Sequence, residues 1–256
     1  MKMNLIIENA GRHFTCDLSK PMIASFSMNN GTNNPNAFHL PFPSFVPFGM
    51  GDFIGSTKKG GPVNCEILTL APHGNGTHTE CVGHIAKETY TIAQTFDSFH
   101  AFGALITVKP EQQSNGHAVI SRSQIEQALQ GKITPQALMI RTQDSSADLG
   151  NTIWSGNNPP YFSADAMELL AELSIQHVLT DLPSVDPEED GGALAAHHAF
   201  WQYPHATRTN ATITEMLFIP DDVKDDYYLI SFGIAPLQSD ASPSTIQLYS
   251  LSIAQQ

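Results

Sequence analysis

The chain has few basic residues. Only 12 of its 256 residues are Lys or Arg, against 25 Asp or Glu, which gives a formal net charge of −13 at pH 7. Nucleic acids and anionic membrane surfaces select basic protein surfaces. The composition therefore argues against both as partners and favours a small molecule.

Long hydrophobic runs and a regular cysteine pattern are also lacking. No segment reaches the roughly 18 apolar residues of a membrane helix, and the start of the chain has too short an apolar run for a secretory signal. The three cysteines, Cys16, Cys65 and Cys81, cannot all pair and show no regular spacing. We therefore expect a cytoplasmic protein, since a reducing compartment keeps such thiols free.

The length and the apolar patterns predict one mixed α/β domain over residues 1–256, with more strand than helix. The unit from Ala137 to Thr180 reads as strand, helix, strand, which implies parallel pairing of its two strands. A capping-box pattern at Ser123 opens a predicted helix that ends near Gly131, and Ser163 is a plausible cap for the helix between the paired strands. Further strands are predicted at 66–70, 104–108, 137–141, 177–180, 212–217, 228–232 and 246–251.

The most informative stretch runs from Pro72 to His84. It places His73, His78, Glu80 and His84 around two glycines. Neutral imidazole and carboxylate are ligands that suit zinc, manganese and iron, and glycines allow a tight loop to gather several ligands. The spacing differs from the helical zinc signature, which has two His four residues apart around a Glu. We therefore predict a metal site formed by a loop and one face of an extended segment, because residues two apart on a strand share a face.

A second set of candidate groups lies far along the chain. Residues 182–192 follow a predicted strand and form a strand-end loop, where α/β proteins collect functional groups, and His197 and His198 come soon after. Glu215 shares the apolar face of its predicted strand and needs a partner there. A metal, a salt bridge or solvation at the strand end would each supply one.

These features together resemble the cyclase family of metal-dependent hydrolases, which includes bacterial kynurenine formamidases and isatin hydrolases. The family motif is H-x3-H-x-D-x3-H, and its last three ligand positions correspond to His78, Glu80 and His84, preceded by Gly76-Thr77. The resemblance continues in the expected order along nearly the whole chain, at residues 17–21, 138–142, 179–187, 197–198, 212–217, 235–237 and 242–243.

The resemblance implies a swivelling β/β/α fold and a site that activates water to cleave an amide, formamide or lactam C–N bond. It implies one or two divalent ions, zinc or manganese, and a homo-oligomer, a dimer or tetramer. His84 would be the catalytic acid/base. The implied metal ligands are His73, His78, Glu80, His197 and Glu215, and the implied groups that orient them are Ser184 and Asp186, with His198 as an alternative to its neighbour.

The chain departs from the family motif at two positions. Glu80 stands where the family has aspartate, and the first histidine appears as His73 although the motif would place it at Gly74. These departures keep other functions open, namely a metal-binding protein without turnover, an esterase, or a C–O lyase or cyclase. A flat ring substrate would suit an aromatic pocket, for which the candidates are Phe42, Phe45, Phe48 and Phe53; packing in the core or at a subunit interface is the alternative.

Overall fold

The computed structural model describes residues 3–142 and 149–254, and it confirms a mixed α/β fold that is rich in strands. The strands are β1 Asn4–Asn9, β2 Arg12–Asp17, β3 Met22–Ile23, β4 Ser44–Pro47, β5 Gly49–Met50, β6 Phe53–Ile54, β7 Glu66–Thr69, β8 His78–Cys81, β9 His100–Thr107, β10 Glu111–Gln112, β11 Ala118–Ile120, β12 Ala137–Arg141, β13 Tyr161–Phe162, β14 His177–Thr180, β15 Thr212–Glu215, β16 Tyr227–Ile234, β17 Ala241–Ser250 and β18 Ser252–Ile253. The helices are α1 Pro72–Asn75, α2 Ile92–Thr95, α3 Arg122–Leu129, α4 Ala164–Glu172 and α5 Ala195–Trp201, with 3-10 turns at Thr57–Lys59, Val82–His84 and Leu149–Asn151.

The main sheet closes into a seven-stranded barrel. Its strand order is β16-β9-β12-β14-β15-β8-β17, the last strand pairs back onto β16, and β3 adds to the edge of β17. Strands β9, β12, β14 and β15 are parallel to one another, whereas β8 runs antiparallel to β15. The parallel pairing predicted for the 137–180 unit is thereby confirmed, and α4 is its crossover helix.

Two cores lie on opposite faces of this sheet. On one face, alternate residues such as Leu138 and Ile140 pack under the three longer helices. On the other face, Met139 joins side chains from β9, β14, β16 and β17 in a cluster that fills the barrel. Strand β15 is therefore buried on both faces, although its alternating sequence predicted a strand that is buried on one face only.

The helix starts differ from the predictions in detail. Helix α3 is capped by Ser121 rather than by Ser123, because the Gln124 side-chain oxygen accepts the Ser121 backbone N–H at 3.0 Å. Helix α4 begins directly after Ser163 as predicted, but the Ser163 hydroxyl donates to the Ile120 carbonyl instead of capping the helix.

Strand β7 was predicted to lead into the His-rich stretch, and it does so from outside the barrel. It pairs with β4, and within the described chain this pair hydrogen-bonds to no other strand. We call residues 44–69 the arm. Every residue of β7 is exposed. Across the described ranges, no helix has the length and apolar composition needed to cross a membrane.

One buried titratable group belongs to the barrel interior and not to the candidate site. His177 packs between Phe96 and Phe232, and its Nδ1 lies 2.8 Å from the Thr212 hydroxyl. Burial, with a smaller contribution from the charge on Arg208, lowers the pKa of His177 to about 3. The folded protein therefore holds this ring neutral at neutral pH.

Because the folded pKa lies below the unfolded value, the unfolded chain takes up this proton first, and stability is lost as the pH falls below about 6.5. From pH 7.5 to pH 5, we expect His177 to account for a loss of about 2 kcal/mol in unfolding free energy. Urea unfolding in the presence of a chelator measures this, and His177→Gln should remove that part of the pH dependence. His13→Gln, at an exposed histidine, should not change it, and equal slopes for wild type and His177→Gln would contradict the prediction.

Candidate functional site

The register of β8 against β15 places three candidate groups on one face. His78 lies opposite Glu215, and Glu80 lies opposite Ile213. Opposed residues and residues two apart share a face. The His78, Glu80 and Glu215 side chains therefore point to the same side of the sheet, as the sequence parity predicted, and the His78 Nε2 atom lies 3.3 Å from the Glu215 Oε2 atom.

The ring of His78 is oriented by the glycine that precedes the strand. Gly76 has φ +147°, a conformation that side chains other than glycine rarely adopt, and its carbonyl lies 3.0 Å from His78 Nδ1. A carbonyl only accepts, so Nδ1 carries the proton. In the neutral ring, Nε2 then presents a lone pair to a carboxylate oxygen of Glu215, an arrangement that a cation between the two would stabilise.

The displaced first histidine of the motif also reaches this group. His73 lies on the single turn of α1, with Nδ1 3.1 Å from the Glu80 Oε2 atom. A Cβ at Gly74, where the motif would place this histidine, would lie 2.8 Å from the Ala37 carbonyl oxygen and 2.7 Å from the Leu40 side chain. The backbone is too tightly packed there for a side chain, and the preceding residue supplies the imidazole.

The strand-end loop and helix α5 bring the fourth imidazole. Asp186 accepts the backbone N–H groups of Ala196 and His197, which secures the start of α5, and its Oδ2 atom lies 2.6 Å from His197 Nδ1. The other ring nitrogen, Nε2, lies 3.0 Å from the Glu80 Oε1 atom. The Ser184 hydroxyl accepts the Asp186 N–H at 3.1 Å, so both predicted orienting groups lie where their roles require.

The two adjacent histidines of α5 differ completely in environment. His197 is buried, whereas His198 is half-buried, places Nδ1 3.1 Å from the Tyr203 carbonyl and packs its ring on that tyrosine. The structure does not bring His198 into the group. A helix turns by about 100° per residue, so neighbours on α5 cannot both face the strand.

His84 closes one side of the group. It ends the 3-10 turn that follows β8, and its Nδ1 atom lies 3.8 Å from the Glu80 Oε2 atom. Unlike His78 and His197, it keeps 28% of its side chain exposed. It lines a cavity of about 300 Å³.

One residue of the site escaped the sequence interpretation. Asp240, on the turn before β17, places its Oδ2 atom 2.8 Å from His73 Nε2 and 3.4 Å from His84 Nδ1. The only sequence signal was its position just before Ser242-Pro243, a segment already matched to the family. The closure of β17 onto β8, which pairs Ala241 with Glu80, carries this aspartate to the site.

The four phenylalanines proposed for an aromatic pocket are not part of the cavity wall. Phe45, Phe48 and Phe53 lie in the arm, and Phe42 precedes it. Phe38 and Leu40 supply apolar wall instead.

The charges of the group are strongly coupled. Glu80 is fully buried; burial opposes its ionisation, but the charge on His84 and hydrogen bonding from His197 outweigh it and hold the pKa of Glu80 well below its usual value. Burial would lower the pKa of His197, yet hydrogen bonds to Asp186 and Glu80 raise it to about 10. The pKa of His73 is raised to about 10 by Asp240 and Glu80 in the same way, against the effect of burial.

The donor set fits a metal ion. His73, His78 and Glu80 place one ligand atom each within 4.8 Å of one another, and so do Glu80, His84 and His197. Two buried polar atoms, His78 Nε2 and Glu80 Oε2, have no hydrogen-bond partner; the second lies close to His73 without hydrogen-bonding geometry. Buried polar atoms are nearly always satisfied, so a site in which both face the same group of donors points to a cation.

Comparison with known proteins agrees with this geometry. The family model described as "Putative cyclase" matches residues 16–187. The kynurenine formamidase of Bacillus thuringiensis (strain Al Hakam) is 28% identical over 203 residues, which cover 79% of this chain and 87% of that protein.

Solved structures share the fold. Isatin hydrolase A from Ralstonia solanacearum has a TM-score of 0.67 at 13% identity, covering 90% of this chain and 91% of that one. An isatin hydrolase bound to the product analogue thioisatinate has a TM-score of 0.65 at 14% identity, covering 91% of this chain and 93% of that one. The family model spans well over half of the sequence and includes the whole His-rich stretch. The chain belongs to the Cyclase family.

Proposed function

We propose that this protein is a metal-dependent hydrolase that cleaves the C–N bond of a small amide, formamide or lactam. One observation carries the proposal. Three imidazoles each have one ring nitrogen held by an outer acceptor, which is Asp240 for His73, the Gly76 carbonyl for His78 and Asp186 for His197. The second nitrogen of each ring faces Glu80 or Glu215. Metal-binding histidines are characteristically held in this way.

The proposed ligands are His73, His78, Glu80, His197 and Glu215, with zinc or manganese as the ion. Glu80 is central, because its Oε2 atom faces His73 and its Oε1 atom faces His197. A carboxylate with an imidazole at each oxygen can serve one ion or lie between two, so the site has the donors for either number. Ser184 and Asp186 orient the ligands on the α5 side.

A divalent ion, when bound, polarises a carbonyl oxygen and makes water acidic enough to attack near neutral pH. The protein's own contribution to proton transfer is His84. Its Nδ1 atom lies 3.4 Å from the Asp240 carboxylate, which leaves Nε2 to accept a proton from the attacking water and return it to the leaving nitrogen. Its partial exposure on the cavity wall suits a group that must meet the substrate.

The substrate class rests on the relatives and on the cavity. The relatives carry the names kynurenine formamidase and isatin hydrolase, and a cavity of about 300 Å³ with Phe38 on its wall suits a small ring compound. The same site would also accept an ester, whose carbonyl is attacked in the same way. Product mass separates hydrolysis, which adds one water, from a lyase or cyclase reaction.

We also propose that the protein is a homo-oligomer, a dimer or tetramer, in which the arm meets a second copy. The arm exposes Val46, Ile67 and Leu68, each with more than half of its surface accessible. Two-stranded ribbons are at best marginally stable alone. Two acidic and two basic residues balance within residues 44–69, whereas the whole chain carries −13, so the arm is where two copies meet with little repulsion.

The first test is metal content combined with turnover. Protein purified without chelator should hold one or two equivalents of zinc or manganese by elemental analysis, and it should hydrolyse members of a formanilide, lactam and ester panel. His84→Ala should retain the metal and lose about 10²- to 10⁴-fold in kcat.

His78→Ala should lose the metal, because it removes a buried ligand. His198→Ala, next to His197 but outside the group, should keep both metal and activity. If the protein binds no metal, and added zinc or manganese restores no activity, the proposed function is wrong. Metal without turnover of any compound would favour a binding protein.

The second test concerns Asp240. Asp240→Asn keeps the shape but weakens the acceptor that holds His73, so metal affinity should fall by about 10- to 100-fold. Competition with a chromophoric chelator measures this without reference to activity. Asp97→Asn, an exposed carboxylate elsewhere, is the control, and an unchanged affinity for Asp240→Asn would show that the contact does not orient the ligand.

The third test concerns the arm. Ile67→Asp places a charge on the exposed face, and should dissociate the oligomer because each buried isoleucine contributes about 1.5–3 kcal/mol. Sedimentation velocity measures the mass in solution. Ile6→Asp, at a similarly exposed isoleucine outside the arm, should leave the mass unchanged. A monomeric wild-type protein would contradict the proposal.

A further inference from the structure

The cavity beside the candidate metal ligands has an unusual charge distribution. Its apolar wall is formed by Phe38, Leu40 and Leu194, and its polar wall includes two acidic side chains, Glu188 and Asp190. None of the lining residues in the described ranges is Lys or Arg. Nothing on this wall would pair with a carboxylate of a substrate.

The two acidic side chains are not equivalent. Asp190 is used by its own loop, because one oxygen accepts the Gly192 N–H at 2.7 Å and the other accepts the Leu194 N–H at 2.6 Å. Glu188 accepts the Gly156 N–H with Oε2 at 2.8 Å, while Oε1 has the His39 ring at 3.9 Å. Glu188 is therefore fixed in place by one oxygen.

The charge nearest to that second oxygen is weak. The His39 side chain is 78% exposed, whereas the Glu188 side chain is only 15% exposed. An ion pair with an exposed histidine at this distance is screened by water and salt. The Glu188 carboxylate consequently keeps its negative potential toward the cavity.

Metal binding does not reverse the sign of this potential. Four carboxylates belong to the site itself, those of Glu80, Asp186, Glu215 and Asp240. One divalent ion balances two of them, and two ions balance all four. Glu188 and Asp190 remain uncompensated on the cavity wall in either case, and a narrow cavity strengthens such fields.

We propose that Glu188 determines substrate charge, and that the cavity takes an amide whose remaining part is apolar with an uncharged or positively charged substituent. A substituent carrying a carboxylate is disfavoured. This inference rests on the proposed function for its assay. It differs from it in content, since a hydrolase of the same bond could have any charge preference.

Three matched compounds test the inference: formanilide with a para-methyl, a para-aminomethyl or a para-carboxymethyl group. For the metal-loaded wild-type protein at low ionic strength, kcat/KM should be highest for the ammonium compound and lowest for the carboxylate. The difference between these two should be about tenfold or more. It should narrow as salt is added.

Variants of one position assign the effect. Glu188→Gln keeps an oxygen for the Gly156 N–H but removes the charge, and should reduce the preference by about tenfold; Glu188→Lys should reverse it. Glu189→Lys makes the same change of charge one residue away, at an exposed side chain that does not line this cavity. It should leave the preference unchanged.

The outcomes separate this inference from the proposed function. Hydrolysis of all three compounds at equal kcat/KM, with no effect of Glu188→Gln, would overturn the inference and leave the hydrolase intact. An equal effect of Glu189→Lys would also overturn it, because net charge would then be the cause. If no compound is hydrolysed, calorimetric binding of the same three compounds decides: preference for the ammonium compound that is lost in Glu188→Gln supports the inference, and its absence overturns it.

Discussion

The structure of the site depends on one buried carboxylate. Glu80 is fully buried on a central strand, where an isolated negative charge is very costly. Three imidazoles from three separate elements surround it: His73 from α1, His84 from the turn after β8, and His197 from α5. Positive charge near Glu80 is thus a condition for folding as well as for function. Protonated imidazoles or a metal ion can each supply it.

The closed barrel makes this arrangement possible. Strand β8 lies between β15 and β17, so its own residues, the end of β15 and the turn before β17 meet at one place. The loop after β14 adds Asp186, which both secures the start of α5 and orients His197. Each ligand is held by a rigid neighbour, and the functional groups gain fixed directions from contacts that also stabilise the fold.

Sequence reasoning succeeded where the information is local. The spacing of His78 and Glu80 and the parity of Glu215 depend only on the alternation of a strand, and the parallel pairing of β12 with β14 follows from one crossover helix. It was less accurate where neighbours compete: Ser121 rather than Ser123 caps α3, and α5 turns His198 toward Tyr203. Asp240 could not be selected from sequence, because a turn aspartate has no periodic pattern to mark the face it serves.

By itself, the sequence determined the family, the strand-rich α/β class and most members of the site, because these depend on residue order and on the short-range geometry of strands. Only the tertiary structure decided which histidine of α5 is turned inward, that Asp240 joins His73 to His84, and that Gly74 has no room for the motif's first histidine. It also decided that Glu188 and Asp190 form the charged wall of the cavity. These depend on distances between segments far apart in the chain, which are set only when the barrel closes.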